Sequence, residues 1–248
     1  MARQEDKRAR GAMKTKASSG VRYRCASGSE GEFQPGSHGR VLRNLANLTR
    51  KRDMDLAEFE ALVTAQAAYL KRIGPDTRFT AELICRMHRD WLGRLYAWAG
   101  RYRTVELAKG GFSWPPAYLV EKNMQTFERE TLARLTPCRL GDEQEIVHAL
   151  AVVHAELLLI HPFREGNGRL ARWLADLMAT QAGQPLPQYH FIGRGGQAER
   201  EQYLSAVRRS YAGDYRLLED FFARALGRAR SACAETRTPS KKDDCRAL

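Results

Sequence analysis

The sequence lacks the features that mark several large classes of protein. It has no apolar run of 18 residues, so no membrane-spanning helix is predicted. Residues 1–20 are basic and polar without an apolar centre, which does not resemble a signal peptide, and we expect a cytoplasmic protein. The five cysteines are scattered and include no Cys-x-x-Cys pair, which argues against both a disulfide framework and a zinc site.

The excess of positive charge lies mostly at the two ends of the chain. The net charge is +12, of which residues 1–24 carry +6 and residues 228–248 carry +3. Basic tails of this kind are typical of solubility or weak contact with polyanions. Because the body between them is only weakly basic, we expect no specific nucleic-acid partner.

Composition divides the 248 residues into three parts. Residues 1–40 combine Lys, Arg, Ser and Gly with few large apolar side chains, which predicts a basic, largely disordered arm. Residues 231–248 are interpreted as a disordered, solvated tail. Residues 41–230 hold enough apolar residues for one core and are predicted to fold as one domain.

Apolar residues recur at helical spacing through most of this domain. Asp53 or Asp55 is expected to cap the first helix, and Thr80 the second. The resulting fold class is all-α with one hairpin. Helices are predicted within residues 41–72, 80–95, 117–135, 142–161, 170–178, 197–211 and 215–230.

A single hairpin signal interrupts the helices. Two short extended pieces within residues 103–114 flank the turn Lys109-Gly110-Gly111. Such an element is either an ordinary surface hairpin or a strand edge that pairs with an extended partner segment. The pattern alone leaves both interpretations open.

The richest chemistry lies between two predicted helices, in residues 161–172. Gly166-Asn167-Gly168 precedes a helix, and first-turn N–H groups at the positive end of a helix dipole form an anion site. Arg169 and Arg172 are three residues apart, so both can reach the same anion. Phosphate is the predicted guest.

His161 and Glu165 stand beside this anion site. A carboxylate here would repel phosphate unless a divalent cation lay between them, which implies Mg²⁺. The histidine titrates in a range that suits a general base for a hydroxyl attacking phosphorus. Its alternative role is to interact with the dipole at a helix C-terminus. The neighbouring glycines, arginines and carboxylate favour the base.

Other candidate groups are interpreted as structural. His148 and His154 are six residues apart, which does not suit a metal pair, and both are expected in or near the core. Residues 193–196 contain three glycines but follow no strand, so they indicate a loop before a helix. Tyr96 and Trp98 are predicted to pack in the core.

The central stretch resembles the signature of the Fic family at every specified position. It reads His161-Pro162-Phe163-Arg164-Glu165-Gly166-Asn167-Gly168-Arg169-Leu170-Ala171-Arg172. Trp98-Ala99-Gly100 with Arg103 resembles the stretch before the family's flap, and residues 109–114 resemble the flap. Tyr203 and Gly213-Asp214-Tyr215 resemble its closing helices. The resemblance covers residues 42–226 and implies a Fic-type helical bundle with one small β-hairpin flap.

This resemblance implies a protein adenylyltransferase that uses ATP and Mg²⁺. His161 would deprotonate a target Ser, Thr or Tyr hydroxyl for attack on the α-phosphorus, and Glu165 would hold the metal. The flap would align the target segment. The remaining expected site residues are Gly166, Asn167, Gly168, Arg169 and Arg172 for phosphates, Tyr203 and Tyr211 for the nucleotide pocket, and Lys109, Gly110, Gly111 and Phe112 for the flap.

Two alternatives and one partner accompany this hypothesis. The family's Doc branch resembles kinases in its reaction, but it carries Lys where this chain has Gly168-Arg169, so AMP transfer is preferred to phosphorylation. A non-catalytic nucleotide-binding module has no need of His161. The family's self-inhibitory pattern, Ser/Thr-x-x-x-Glu-Gly/Asn, is absent in strict form. We therefore expect that a separate antitoxin-like chain inhibits this protein. The protein itself is expected to be a toxin or an effector, and an effector would be delivered into a host cell.

Overall fold

The computed structural model describes residues 29–237, which form helices and one two-stranded sheet. The predicted all-α class with a single small hairpin is confirmed for this range. The helices are α1 (Lys51–Arg72), α2 (Ala81–Leu92), α3 (Val120–Phe127), α4 (Ala133–Leu135), α5 (Glu143–Ile160), α6 (Asn167–Gln181), α7 (Gly196–Ser210) and α8 (Arg216–Arg237). The strands are β1 (Ala108–Lys109) and β2 (Phe112–Ser113), and a π-helical turn, Glu128–Leu132, joins α3 to α4.

Helix α5 is the central element of the fold. Its sequence is apolar almost all round, and such a helix must be covered on all sides. It packs against α3, α6, α7 and α8. The Asp142 carboxylate caps its start by accepting a hydrogen bond from the Glu145 N–H at 3.3 Å. The predicted start at Asp142 is confirmed, and the buried helix fixes where its last residue points.

Helix α2 packs near the loop between α5 and α6, residues 161–166, which is called the central loop below. The Thr80 hydroxyl accepts a hydrogen bond from the Leu83 N–H at 3.1 Å, so the predicted cap is confirmed. Its buried face carries Ile84, Met87 and Trp91 at helical spacing. This face packs toward α1 and α3.

Helix α1 begins at Lys51, a few residues before the caps expected at Asp53 or Asp55. Neither Asp53 nor Asp55 caps it, because Arg50 occupies the N-cap position and the Asp53 carboxylate binds the Arg50 side chain at 2.6 Å. The preceding residues form a loop held by the Asn44 side chain. Its amide donates to the Leu42 and Leu48 carbonyls, and its oxygen accepts from the Leu48 N–H. These bonds compete with helix formation.

The arm expected to be largely disordered through residue 40 is ordered from residue 29. The Glu30 carboxylate accepts hydrogen bonds from the Thr104 N–H and hydroxyl at 3.2 and 3.3 Å. The Arg164 Nε–H donates to the Glu30 carbonyl at 3.0 Å. Phe33 and Leu42 form an antiparallel bridge. A polar composition had suggested disorder, but here polar atoms supply the contacts. Residues 1–28 lie outside the described part.

The C-terminal tail predicted from residue 231 is helical as far as Arg237. The reason is visible in the sequence, since neither Gly nor Pro occurs between Arg228 and Pro239. The Arg230 guanidinium also pairs with Glu143 at 2.5 Å, which ties α8 to the start of α5. The remaining residues of the predicted tail, 238–248, are not described.

No helix within residues 29–237 combines the length and apolar character that crossing a membrane requires. In the same range, the thiols Cys85, Cys138 and Cys233 are unpaired, in agreement with the scattered cysteine pattern.

Truncation tests the ordered part of the arm. Deleting residues 1–40 removes the Glu30 contacts to Thr104 and Arg164, and each lost buried hydrogen bond costs about 1 kcal/mol. We expect the free energy of unfolding, measured by urea denaturation, to fall by about 2 to 3 kcal/mol. The chain without residues 1–28 is the reference, so that the difference between the two truncated chains reports on residues 29–40. Equal stability of the two truncated chains would show that the contacts contribute nothing.

Candidate active site

His161 lies at the junction of α5 and the central loop. It is the C-cap of α5 and has the left-handed backbone conformation, with φ of 51°. Its N–H continues the helix ladder by donating to the Leu157 carbonyl at 3.0 Å. A left-handed C-cap turns the chain sharply. The predicted helix end is therefore correct, and the imidazole is positioned by a rigid helix.

The surroundings of His161 set its tautomer and its charge. Nδ1 lies 3.1 Å from the Leu158 carbonyl, which can only accept, so Nδ1 carries the proton and Nε2 the lone pair in the neutral ring. Burial lowers the pKa of His161 to about 3, against a smaller opposing effect of the Leu158 hydrogen bond. Arg103 and Lys109 lower the pKa further. His161 is thus neutral near pH 7, and its pKa lies well below the near-neutral range expected from the sequence, because the ring is buried.

The hairpin covers the histidine. Lys109 faces Phe112 in the antiparallel pair, and Gly110 and Gly111 form the turn with φ of 58° and 81°. Two positive φ values in succession are typical of a type I′ turn, which explains the glycine pair. The Trp114 ring lies 4.0 Å from the His161 ring, and its Nε1–H donates to the Leu158 carbonyl at 2.9 Å.

Arg103 joins the hairpin to the loop, a role for which the sequence assigned no residue. Its guanidinium is buried and donates to the carbonyls of His161 at 2.8 Å, Val105 at 2.9 Å and Pro115 at 2.6 Å. Its backbone N–H donates to the Pro162 carbonyl at 2.8 Å. The sequence signal was the Arg after Trp98-Ala99-Gly100, without any indication of its partners.

The glycine-containing loop is closed by its own asparagine. The Asn167 side chain accepts from the Phe163 N–H at 2.9 Å and donates to the Phe163 carbonyl at 2.7 Å. The Asn167 side chain therefore shapes the loop, and its backbone N–H belongs to the first turn of α6, as does that of Gly168. Gly166 has φ of 86°, and a Cβ there would lie 2.9 Å from the Trp91 ring.

The two arginines that were expected to share one anion have different surroundings. Arg169 Nη1 lies 2.7 Å from the Glu58 carboxylate, and its Nη2 lies 3.6 Å from Glu165. Its guanidinium also stacks over the Trp91 ring at 4.7 Å. Glu58, on α1, was missed in the sequence, because apolar positions that repeat along this helix, such as Leu56 and Phe59, are exposed and do not mark its buried face.

Arg172 lies among aromatic side chains. Its Nη1 donates to the Tyr203 hydroxyl at 3.3 Å, and its guanidinium lies 5.3 Å from the Phe191 ring. The same nitrogen approaches the first turn of α6, since a Cβ built at Gly168 would lie 3.7 Å from it. The Arg172 charge also interacts with the buried Asp176 carboxylate, where it opposes the larger effect of burial, which raises the pKa of Asp176 to about 7. A guanidinium in these mostly neutral surroundings suits an anion.

The two tyrosines proposed for the nucleotide pocket occupy different places. Tyr203 bonds Arg172 and lies 2.9 Å from Nε2 of the buried His154. Tyr211 lies on the hairpin side, 5.0 Å from the Phe112 ring, with its hydroxyl 3.3 Å from the Leu158 carbonyl. Tyr203 is therefore grouped with the arginines, and Tyr211 with the histidine and the hairpin.

His88 on α2 packs against the central loop, and this role was not predicted from the sequence. Its Nδ1 accepts from the Gly100 N–H at 2.8 Å, and its Nε2 donates to the Glu165 carbonyl at 3.1 Å. Its ring stacks on Phe163 at 3.9 Å. Only the neutral ring satisfies both bonds, and burial lowers the pKa of His88 to about 4.

Glu165 is the residue expected to hold a metal. Within residues 29–237, no group of three or more His, Cys, Asp or Glu side chains could bind a cation on its own. Magnesium commonly binds through one or two carboxylates together with substrate phosphate oxygens. A single carboxylate such as that of Glu165 is compatible with this shared kind of coordination.

The site as a whole presents a neutral imidazole, the amide end of a helix and two guanidinium groups. A neutral base and an anion-binding turn suit attack of a hydroxyl on a phosphate ester. The elements that converge on it come from α1, α2, the hairpin, α5, α6 and α7.

Comparison with known proteins identifies the family. Residues 78–179 match the model of the Fic/DOC family. A probable protein adenylyltransferase from Sinorhizobium fredii, y4lH, is 30% identical over 182 residues, which cover 73% of this chain and 87% of the relative. The chain belongs to the Fic/DOC family. The resemblance seen in the twelve-residue signature is thereby confirmed.

Further relatives agree in extent and in fold. A probable protein adenylyltransferase Fic from Escherichia coli is 27% identical over 76% of this chain and 89% of its own length. The crystal structure of the Bartonella tribocorum effector BepC with bound AMPPNP superposes with a TM-score of 0.61 at 20% identity. That match covers 74% of this chain and 91% of BepC. The Fic fold is thereby shown for this chain.

Gly166 provides a test of the loop geometry. We expect Gly166→Ala to lower the free energy of unfolding by about 2 kcal/mol or more, because the new Cβ adds both left-handed strain and a clash with Trp91. Gly110→Ala is the matched control, since φ is also positive there but no atom lies within 4 Å of the added Cβ. Urea denaturation measures both. A smaller loss at Gly166 than at Gly110 would contradict the clash.

Buried neutral histidines predict a pH-dependent stability. Burial holds the pKa of His88, His154 and His161 at about 4, 3 and 3 in the folded chain, below the value near 6.5 of an unfolded histidine. The unfolded state therefore binds more protons below pH 6.5, so this stability is present above pH 6.5 and is lost as the pH falls. At pH 5 each of these buried histidines lowers the free energy of unfolding by about 2 kcal/mol.

Urea denaturation at pH 7 and pH 5 measures this loss. His154→Gln removes one buried histidine, so the difference between the two pH values should shrink by about 2 kcal/mol. A difference in His154→Gln as large as that of the unaltered chain would refute the assignment.

Proposed function

We propose that this chain is a protein adenylyltransferase, which transfers AMP from ATP to a Ser, Thr or Tyr hydroxyl of a target protein. The observation that carries the proposal is the neutral His161, held by α5 beside the amide end of α6. Relatives that match most of the chain bear the name protein adenylyltransferase, and BepC has been crystallised with AMPPNP.

In this reaction His161 is the general base. Nε2, the nitrogen with the lone pair, accepts the proton of the target hydroxyl as its oxygen bonds to the α-phosphorus. The bond from that phosphorus to the bridging oxygen breaks, and pyrophosphate leaves. The Leu158 carbonyl holds the Nδ1 proton, which keeps Nε2 as the basic nitrogen throughout.

The phosphates would lie against the first turn of α6. The N–H groups of Gly166, Asn167 and Gly168 point toward the helix end, where the dipole favours an anion. Arg169 and Arg172 supply positive charge on two sides. Because the loop is fixed by the Asn167 clamp and by His88, catalysis would come from positioning and charge stabilisation.

Magnesium belongs to the same proposal. Glu165 would hold the ion together with phosphate oxygens of ATP, and the ion would neutralise charge on the phosphates. The role of Tyr203 as part of the nucleotide site rests on its bond to Arg172. The corresponding role for Tyr211 has weaker support, because this residue packs on the hairpin.

The hairpin of residues 108–113 would align the target. Strands of two residues each offer backbone groups to an extended segment, with Lys109, Gly110, Gly111 and Phe112 nearest to it. Trp114 stacks on His161, so a target segment paired with this hairpin would have its hydroxyl near the base.

The partners and the setting remain predictions from the family resemblance. A separate antitoxin-like chain is expected because the strict self-inhibitory pattern is absent from the sequence. Delivery into a host cell as an effector is a prediction of the same kind. The catalytic unit is assigned to residues 41–230, to which the ordered contacts of Glu30 are added.

Radiolabelled ATP tests the reaction directly. Purified protein is incubated with a cell lysate, Mg²⁺ and ATP labelled at the α-phosphate, and labelled protein bands are counted. His161→Ala should reduce the label at least 100-fold, because a general base contributes about 10² to 10⁴. His148→Ala is the control and should retain the label. Transfer of label from γ-labelled ATP in a parallel incubation, without transfer from α-labelled ATP, would replace the proposal with phosphorylation. Nucleotide binding without transfer would indicate a non-catalytic module.

A further inference from the structure

Helix α1 contributes a charged residue to the site from outside the family signature. Glu58 lies on α1, twenty residues before the matched range of residues 78–179 begins. The residue is only 3% exposed, although a carboxylate is rarely buried unless it is paired. Its position therefore requires an explanation in terms of its partners.

The Glu58 carboxylate has one partner for each oxygen. The Tyr96 hydroxyl donates to Oε1 at 2.6 Å, and Arg169 Nη1 lies 2.7 Å from Oε2 as an ion pair that lacks the geometry of a hydrogen bond. The Glu58 backbone carbonyl accepts from Trp91 Nε1–H at 2.9 Å. Both the side chain and the backbone of Glu58 are thus fixed by neighbours, so the carboxylate is a rigid anchor.

Arg169 is held on three sides by different elements. Glu58 is closer to its guanidinium than Glu165 is, at 2.7 against 3.6 Å, and the Trp91 ring lies 4.7 Å from its central carbon. The side chain is still 27% exposed, whereas that of Glu58 is 4% exposed. The anchor therefore contacts the guanidinium from the protein interior, while the Arg169 side chain stays partly exposed and has further donors.

We propose that Glu58 is a positioning residue for nucleotide binding, which holds the Arg169 guanidinium in the orientation that meets the phosphates. This inference rests on the proposed function. An arginine side chain loses much rotamer freedom when it is immobilised, and an arginine fixed before binding spares the nucleotide that cost. Glu58 also draws the guanidinium toward α1, away from the Glu165 carboxylate in its own loop.

A competing role for Glu58 makes the opposite prediction. A carboxylate that occupied the phosphate position would inhibit, and its removal would tighten nucleotide binding. The burial of Glu58 and its bond to Tyr96 argue against this role. A carboxylate that took the place of a phosphate would have to lie where a nucleotide can enter, and this carboxylate is covered. Positioning and inhibition therefore differ in the sign of one measurable quantity.

The test measures binding of an ATP analogue with a methylene bridge between the α- and β-phosphorus, which cannot transfer AMP. Isothermal titration calorimetry with Mg²⁺ is applied to the full chain and to Glu58→Gln, which keeps the shape but removes the charge. We expect binding to weaken about tenfold. Tyr96→Phe is the matched control, because it removes a hydrogen bond to the same carboxylate but keeps the pair with Arg169. It should bind within about twofold of the unaltered chain.

A double-mutant cycle separates positioning from general loss of structure. If Glu58 acts through Arg169, Glu58→Gln should have no further effect on binding in an Arg169→Ala background. A tenfold loss that persists there would overturn the inference, as would unchanged or tighter binding by Glu58→Gln alone. If Glu58→Gln does not fold, Glu58→Asp keeps the charge but withdraws it by one methylene, and weaker binding is expected again.

The outcomes also distinguish this inference from the function on which it rests. If the unaltered chain does not bind the analogue, the proposed function is wrong and the inference falls with it. If the unaltered chain binds the analogue and Glu58→Gln binds it equally well, only the role of Glu58 is wrong.

Discussion

The buried guanidinium of Arg103 is the interaction on which the arrangement of the site depends. Its three bonds end on backbone carbonyls of the central loop, of the residues before the hairpin and of the residues after it. Backbone carbonyls at the end of α5 carry partial negative charge, which compensates a buried cation. This cation ties the hairpin to His161, and the bond from Trp114 to the Leu158 carbonyl is a second tie that holds the indole over the imidazole.

Three further buried polar residues fix the conformation of the central loop. His88 bonds the Glu165 carbonyl, Asn167 bonds both backbone groups of Phe163, and Glu58 binds Arg169. Each is almost fully buried and has a partner, as a buried polar group requires. A loop rich in glycine would otherwise sample many conformations. These bonds give the loop one conformation before any nucleotide arrives, which is the condition for catalysis by positioning.

The sequence predicted the elements well where a local signal existed. Thr80 and Asp142 cap their helices as expected, and the glycine pair forms the turn of the hairpin. The errors arose where polar residues make side-chain contacts. Asp53, expected to cap α1, binds the Arg50 side chain instead, and Glu30 orders part of an arm whose composition suggested disorder.

The sequence by itself determined the helical class, the family and the chemical groups of the candidate site, because the signature places them within twelve consecutive residues. Only the tertiary structure decided their surroundings. It separated Arg169, which binds an acid, from Arg172, which lies among aromatic rings, and it separated Tyr203 from Tyr211. The physical reason is that burial and long-range pairing set charge and orientation. Glu58 meets Arg169 across 111 positions of the chain, a distance at which local patterns carry no information.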